Sequence, residues 1–519
     1  MSLLRNFATV GSATAFSRVL GFGRDMLMAA ALGTGGVADA FFVAFRFPNL
    51  FRRLFAEGAF NSAFIPLFAR KLEGEGDEPA RLFAQDVLAA LLFALLILTA
   101  VAEIAMPVLM FVMAPGFYTD PEKFDLAVWL TRICFPYLLF VSLLAFVSGI
   151  LNAKGRFAVA GFAPVLLNIV FIIALAAIIY AGHAESPTAG YWLSVAVFVG
   201  GVLQLVAVLI ELKRSGWVLA LRRPRYTEGV KRLLKLAVPA ILAGGITQIN
   251  IVIGTMIASM AAGAVSYLYY ADRVYQLPLG IVGIAIGVVL LPDLARRLRS
   301  GALEAASGQQ NRALEFAMIL TLPAAGALFI AATPIIAGLF ERGAFDAEAT
   351  ARTAPVLAAF ALGLPAFVLI KVFQPGFFAR EDTKTPMWFA AINAIVNIVI
   401  SLALFPWLQH IGIAIATTIG GCINACLLGL TLYRRGHFIP DPRLTKRLVG
   451  ALAATGLMVA ALIIASVIFA VWVDDTASAA GKLIHLATLV IVGMLAYVVA
   501  IFALGVTSRS ELAGYMRRR

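Results

Sequence analysis

Long apolar stretches of this sequence carry cations where cations ought to be rare: Arg18, Arg24, Arg46, Arg52, Arg53, Arg132, Arg273 and Lys371. A guanidinium group is a planar, permanently charged fork that matches phosphate oxygens two at a time. Guanidinium groups in apolar surroundings therefore point to recognition of an anion. Each costs about 2.5–3.5 kcal/mol at the centre of a membrane helix on insertion scales. Arg18, Arg24, Arg46, Arg52 and Arg53 together would cost roughly 12–18 kcal/mol if they faced lipid. They must face a watery cavity or find counter-charges.

Some have counter-charges within reach of helical spacing. Asp39, Arg46 and Arg53 follow one another by seven residues, and Glu57 follows Arg53 by four. With Asn49 they form one stripe of a helix. Arg53–Glu57 is an i, i+4 ion pair by spacing, and a purely structural role for it stands beside a transport role. Arg132 is near a helix end and can snorkel. Lys371 has no acid within a turn, so a cavity position and a helix-end position are both open. Arg18, Arg24, Arg52 and Arg273 differ, because none has a carboxylate three or four residues away. Asp25 and Asp272 are immediate neighbours of Arg24 and Arg273, but adjacent helical residues diverge. These four are expected to be unpaired. Counted from the helix ends at ~1.5 Å per residue, Arg24, Arg52 and Arg273 lie roughly 21–28 Å deep, with Arg18 lower. The alternative is salt bridges to acids elsewhere in the fold.

Elements that can hold such a set follow from composition. The chain has 519 residues, 62% hydrophobic and 13% charged, with a mean hydropathy of +0.94. Soluble domains are near 45–50% apolar and about 25% charged. A soluble enzyme and a disordered chain are excluded, and 3 Cys cannot make a disulfide scaffold. A membrane helix needs about 20 mostly apolar residues. Fourteen stretches qualify: about 8–33, 38–64, 83–113, 126–152, 158–181, 189–212, 233–260, 264–291, 313–340, 353–378, 386–408, 411–433, 446–473 and 483–506. Runs this long exclude a transmembrane β-barrel. The first carries Arg18, Arg24 and Asp25 and lacks an Ala-x-Ala cleavage site, so it is read as a retained helix. Gly21, Gly23, Gly33, Gly35 and Gly36 punctuate it, and Pro48 interrupts the second. Such breaks suit helices that line cavities, bend or pack closely.

The formal charge of +13 would suggest nucleic acid on a soluble protein. Here it reads as sidedness. Alternate loops hold 29 Lys and Arg on one side against Lys123, Arg342, Arg352 and Lys482 on the other. Positive charge stays inside, so both termini are expected in the cytoplasm. The densest cluster, between Lys213 and Lys235, reads chiefly as a topology determinant and could also touch anionic headgroups. Neither the cysteines nor the four His make a metal-ligand pattern, no phosphate loop is present, and no cofactor is expected.

Residues 65–72 recur as 291–298 at a constant offset of 226, each at the end of the second span of its half. Ala153 meets Ala379 at the same offset, and Asn168 meets Asn397 at 229. A duplication follows: 1–228 with spans 1–6 and a basic loop, and 229–440 with spans 7–12. Residues 441–519, with spans 13–14 and a basic tail, fall outside it. An even number of spans per repeat implies a pseudo-twofold axis along the membrane normal, with a substrate site between the lobes.

The run Ser17-Arg18-Val19-Leu20-Gly21-Phe22-Gly23-Arg24-Asp25 resembles the opening of the MurJ (MviN) lipid II flippases of the MOP exporter superfamily. So do 39–45, 48–60, 114–117, 162–168 and 269–273. The likeness runs from residue 1 to about 435 and more weakly to the end. It implies an all-α polytopic membrane protein with two six-helix lobes, and spans 13 and 14 forming a groove for a polyprenyl tail. The implied substrate is lipid II, undecaprenyl-pyrophosphate bearing the disaccharide-pentapeptide. It is flipped by alternating access from the cytoplasmic to the periplasmic leaflet of the bacterial inner membrane for cell wall biosynthesis. The family's essential arginines map onto Arg18, Arg24, Arg52 and Arg273. Ser17, Asp25, Asp39, Asn49, Arg53 and Glu57 match positions the family treats as sensitive, and Arg46 joins them on the stripe. Membrane lipids and proteins of cell-wall synthesis are the further partners implied, and nucleic acid is not. One departure is visible. A family member carries a sodium site built with acids on spans 7 and 11, whereas spans 7, 11 and 12 here offer Gln248, Asn250, Asn393, Asn397, Thr417 and Thr418.

Rival readings are a MOP exporter of another polyprenyl-pyrophosphate-linked glycan, a multidrug exporter, a scaffold and a lipid-phosphate enzyme. Cationic drugs would want carboxylates where arginines stand. A scaffold has no use for mid-membrane arginines, and no metal motif or nucleophile–base set supports the enzyme.

Overall fold

The computed structural model of the protein describes residues 2–52, 60–472 and 478–507. Among them every regular element is helical, as an apolar chain must be where water cannot satisfy backbone groups. The chain divides into two compact units, Met1–Ser266 with Gly343–Phe345, and Tyr267–Arg342 with Asp346–Arg519.

The first unit contains α1 (Ser2–Leu32), α2 (Gly36–Arg52), α3 (Phe60–Glu75), α4 (Asp77–Met113), α5 (Pro121–Cys134), α6 (Tyr137–Ala153), α7 (Ala158–Tyr180), α8 (Pro187–Arg214) and α9 (Glu228–Ser259). α1 packs along α7, α2 along α5, and α9 against α3 and α4. At one end Phe64, Phe68, Phe83, Phe146 and Trp217 make a buried ring cluster on α3, α4, α6 and the segment after α8. Phe64 meets Phe146 at 5.0 Å and Phe68 meets Trp217 at 5.8 Å between centroids. This cluster surrounds the first copy of the repeated octet. Gly343–Phe345 closes onto the end of α1, where Ala344 N donates to Ala30 O at 2.9 Å. Gly33 and Gly343 both have positive φ, and a Cβ on either would stand 2.4 Å from the opposing carbonyl oxygen. Only glycine allows that approach.

The second unit contains most of α10 (Ala264–Arg299), then α11 (Leu303–Ile330), α12 (Ala332–Phe340), α13 (Ala347–Phe378), α14 (Lys384–Arg434), α15 (Pro442–Trp472) and α16 (Ala479–Ala503). α14 is one helical run in which Gln409, at φ 45°, reverses the chain three residues after Pro406. Its two arms fold back on each other, and Asn397 Nδ2 donates to Thr417 Oγ1 at 3.2 Å. Spans 11 and 12 are therefore the arms of this hairpin. Before it, Asp382 accepts from Thr385 N at 3.0 Å and pairs with Arg435 at 2.7 Å. The backbone N–H first and the guanidinium second hold its carboxyl at about 2. α15 and α16, outside the repeat, are tied to α11 and α12. Glu315 is paired with Arg312, Arg443 and Arg447, Tyr497 OH donates to Ile319 O at 2.6 Å, and Lys482 pairs with Glu341 at 2.9 Å.

Nine helical segments among the described residues are long and apolar enough to cross a bilayer, with α14 counted once. The remaining expected spans overlap α1, α2, α9 and α10, the second (38–64) running past α2 through residues outside the described ones into α3. Charged or amide side chains interrupt their apolar runs, Arg24 and Asp25 on α1, Arg46 on α2, Gln248 on α9 and Arg273 on α10.

Candidate functional site

Arg24, the inner cation of α1, is part-buried on the face that meets α7. Its Nη2 and Nε donate to Asp25 Oδ1 at 2.7 and 3.1 Å. Its Nη1 donates to Asn168 Oδ1 at 3.0 Å. The amide of Asn168 is itself oriented, because Nδ2 donates to Ser17 O at 3.0 Å. The Phe171 ring lies 5.3 Å from the guanidinium carbon. Ser17, Arg24, Asp25, Asn168 and Phe171 thus form one cluster, with Asp25 4% exposed.

This overturns the expectation that Arg24 and Asp25 diverge. Adjacent Cβ atoms do point apart, but a long arginine side chain can curl back to its neighbour. The pairing makes Arg24 a held fork instead of an isolated cation. Asn168 and Phe171 did not enter the set drawn from the sequence. The match of Asn168 to Asn397 at an offset of 229, and its place in the run 162–168, were the available signals for the former.

On α2 the acid of the stripe takes its cation from another helix. Asp39 is fully buried and accepts from Lys123 Nζ at 2.8 Å, Gly263 N at 2.9 Å, and Ser266 N and Oγ at 3.0 and 2.7 Å. Its cation is thus Lys123 on α5, which also lies 4.2 Å over the Phe117 ring. Arg46 Nη1 donates to Thr255 Oγ1 on α9 at 2.8 Å. Arg52 Nε donates to Asn49 Oδ1 at 3.0 Å, and Asn49 Nδ2 donates to Phe45 O at 2.8 Å. The expected Arg53–Glu57 pair lies outside the described residues.

Arg18 is exposed on α1 and has no partner among the described residues. Arg132 donates to Glu103 O at 3.3 Å and stands 5.0 Å over the Trp129 ring near the end of α5. In the second unit Arg273 stands 4.6 Å over the Tyr269 ring on its own helix, and Gln276 donates to the neighbouring Asp272. Lys371 is exposed on α13. Among the described residues no group of three His, Cys, Asp or Glu is close enough to hold a metal. Of the amides and hydroxyls named for spans 11 and 12, Asn397 Nδ2 donates to Thr417 Oγ1, Thr417 Oγ1 donates to Ile413 O at 2.9 Å and Thr418 Oγ1 to Ala359 O at 2.7 Å, whereas Asn393 Oδ1 is buried without a hydrogen-bond partner among the described residues.

The family model for lipid II flippase MurJ matches residues 28–507. A probable lipid II flippase MurJ of Rhizobium tropici is 50% identical over 506 residues, covering 97% of this chain and 95% of its own. The lipid II flippase MurJ of Burkholderia cenocepacia is 40% identical over 471 residues, covering 88% and 90%. A solved lipid II flippase MurJ in an inward closed conformation matches with a TM-score of 0.77 at 25% identity, covering 95% of this chain and 99% of that one. An inward-facing multidrug resistance MATE family transporter of the MOP superfamily matches at 0.66 and 17% identity, covering 80% and 94%, which speaks to the fold alone.

Proposed function

Because the chain belongs to the MurJ family of lipid II flippases, we propose that Arg18, Arg24 and Arg52 receive the pyrophosphate of lipid II, and that Arg273 is a further guanidinium for the same chemistry. The protein is a transporter and not an enzyme. It flips lipid II, undecaprenyl-pyrophosphate carrying the peptidoglycan disaccharide-pentapeptide, between the leaflets of the inner membrane by alternating access, supplying cell wall biosynthesis. The observation that carries the site is the Arg24 cluster: Asp25 and Asn168 fix the fork, and Ser17 fixes Asn168. A preorganised fork loses little side-chain freedom when it takes a phosphate. Ser17, Asp25, Asp39, Arg46 and Asn49 shape this surrounding, together with Arg53 and Glu57. Proteoliposomes with labelled lipid II and, separately, a cationic drug test the reading. Leaflet exchange of the lipid without drug export is the expected result, and the reverse would favour a multidrug exporter.

We place both termini in the cytoplasm, with fourteen crossings in two repeated halves, 1–228 and 229–440, followed by 441–519 with the tail groove. Proteins of cell-wall synthesis are the partners such a protein would meet. The charge asymmetry of the loops supports the sidedness. A cysteine introduced at Tyr118 should react with an impermeant reagent in intact cells, and one at Ala220 should not. Reaction at 220 without reaction at 118 would invert the topology.

Transport should not need sodium. Hard cations prefer carboxylate and carbonyl oxygens to amides, and no Asp or Glu occurs between residues 236 and 261 or between 387 and 405. Moving a negative headgroup out of a negative-inside cell is favourable by about 2.3 kcal/mol per charge per 100 mV, so membrane potential can supply the drive. Replacing sodium by choline at fixed potential should leave flipping unchanged. Activity lost on replacement and restored by sodium would refute this.

A further inference from the structure

The chain between α8 and α9 runs without helix from 217 to 227. It is fixed at both ends. Trp217 is buried in the ring cluster, its Nε1 donates to Asp77 at 3.3 Å, and Lys154 Nζ lies 4.1 Å over its ring. Thr227 Oγ1 accepts from Val230 N at 3.5 Å and caps α9. Between these anchors the strap turns its large side chains outward. Val218 is 62% exposed, and Leu221 and Tyr226 are each 73% exposed. Arg222, Arg223 and Arg225, set between Leu221 and Tyr226, are exposed too. So are Lys213, Arg214, Arg232 and Lys235 on the flanking helix ends.

None of these seven cations has an ion pair or hydrogen bond among the described residues. Glu228, the sole acid between 213 and 235, pairs with Lys231 at 3.5 Å. Fixing topology needs cations alone. It gives no reason to expose a leucine and a tyrosine between arginines on a strap that could have been polar throughout. A headgroup layer accommodates both features. Anionic headgroups attract juxtamembrane Lys and Arg, and an aromatic ring with a polar tip is at home at that level. With α8 read as a span, the strap leaves that helix where it emerges from the bilayer and leads into the basic first turns of α9, which puts it beside the headgroup layer. Its arginines are spread along an extended segment with no buried pocket in common. They are therefore suited to a surface of many phosphates and not to one phosphate.

We propose that residues 213–235 form a docking surface for anionic phospholipid headgroups, with the cations against the phosphates and Leu221 and Tyr226 set among the headgroups. This goes beyond the transport reading and does not depend on which side of the membrane the strap occupies. The test uses the full chain in mixed phosphatidylcholine and phosphatidylglycerol bilayers. An environment-sensitive fluorophore is carried at Ala220→Cys after the native cysteines are replaced, and bromine is placed on the chains of one lipid at a time. Each cation near an anionic surface strengthens association about fivefold. Brominated phosphatidylglycerol should therefore quench several-fold more than brominated phosphatidylcholine. The excess should vanish at high salt and in the triple variant Arg222→Gln, Arg223→Gln, Arg225→Gln. It should persist when the three are changed to Lys, because a charged surface reads charge and not the fork. Equal quenching by both lipids overturns the proposal. So does quenching by neither, the outcome for a strap reserved for an acidic protein, and so does loss of the preference in the Lys variant, the outcome for a discrete phosphate site.

Discussion

Arg52→Ala should abolish support of growth in a strain depleted of its own flippase, with membrane levels and lipid binding of the variant measured in parallel. Arg52 is tied to Asn49, a neutral partner that keeps its own bond to the backbone of Phe45. Removing the guanidinium should weaken substrate binding. Each charge-assisted hydrogen bond to phosphate is worth about 1.5–3 kcal/mol, roughly a ten- to hundredfold loss of affinity per bond. Arg52→Lys should rescue in part, since ammonium supplies charge without the planar fork. Arg273→Ala is expected to follow the same pattern.

Arg24→Ala should lose transport and stability together. Its removal strips a buried carboxylate, Asp25, of the cation 2.7 Å away, and breaking a buried pair costs about 3–5 kcal/mol. Adding Asp25→Asn should recover protein levels without recovering growth. That separation distinguishes a phosphate ligand from a structural pair. If Arg24→Ala, Arg52→Ala and Arg273→Ala all bind the lipid pyrophosphate normally and support growth, the arginines are structural and the anion site is lost.

What could be read from the sequence and what could not divides along chain distance. Apolar length needs only local counting, and it delivered an all-helical membrane protein. The identities of the intramembrane arginines were equally visible, because a cation in an apolar run is conspicuous. Their partners were not. Asn168 is 144 residues from Arg24, and Thr255 is 209 from Arg46. Helical spacing offered Arg46 to Asp39 as the nearest in-register cation, yet tertiary packing brought Lys123 from α5. The i, i+1 rule also failed at Arg24 for a definable reason. It describes where Cβ atoms point, and a side chain with four rotatable bonds is not bound by it. Reversal inside α14 was legible as two spans, but its pivot at Gln409 was not, since a positive φ at glutamine has no sequence signature.

The largest loss of stability is expected at Asp39. Its carboxylate is fully buried and its oxygens divide four donors. Oδ1 takes Ser266 N and Oγ, while Oδ2 takes Lys123 Nζ and Gly263 N. Two of those donors are backbone N–H groups at the start of α10, so Asp39 caps that helix from another one, where negative charge is favoured. Asp39→Ala leaves Lys123 without its carboxylate and the amides unsatisfied, a cost of about 3–5 kcal/mol. Asp39→Asn should be almost as harmful. Turned one way its NH2 opposes Lys123 Nζ and Gly263 N, and turned the other it opposes Ser266 N, where only the Ser266 hydroxyl can switch to accepting. Lys123→Met should cost less, because three neutral donors still satisfy the carboxylate. The double variant Asp39→Asn, Lys123→Met should be more stable than Asp39→Asn alone, since it removes one of the opposed donors and the stranded charge. Thermal unfolding of the purified protein, compared across the four variants, reads this coupling. An unchanged midpoint for Asp39→Asn would mean that water or a rearranged loop satisfies these donors, and that Asp39 does not hold α10 in place.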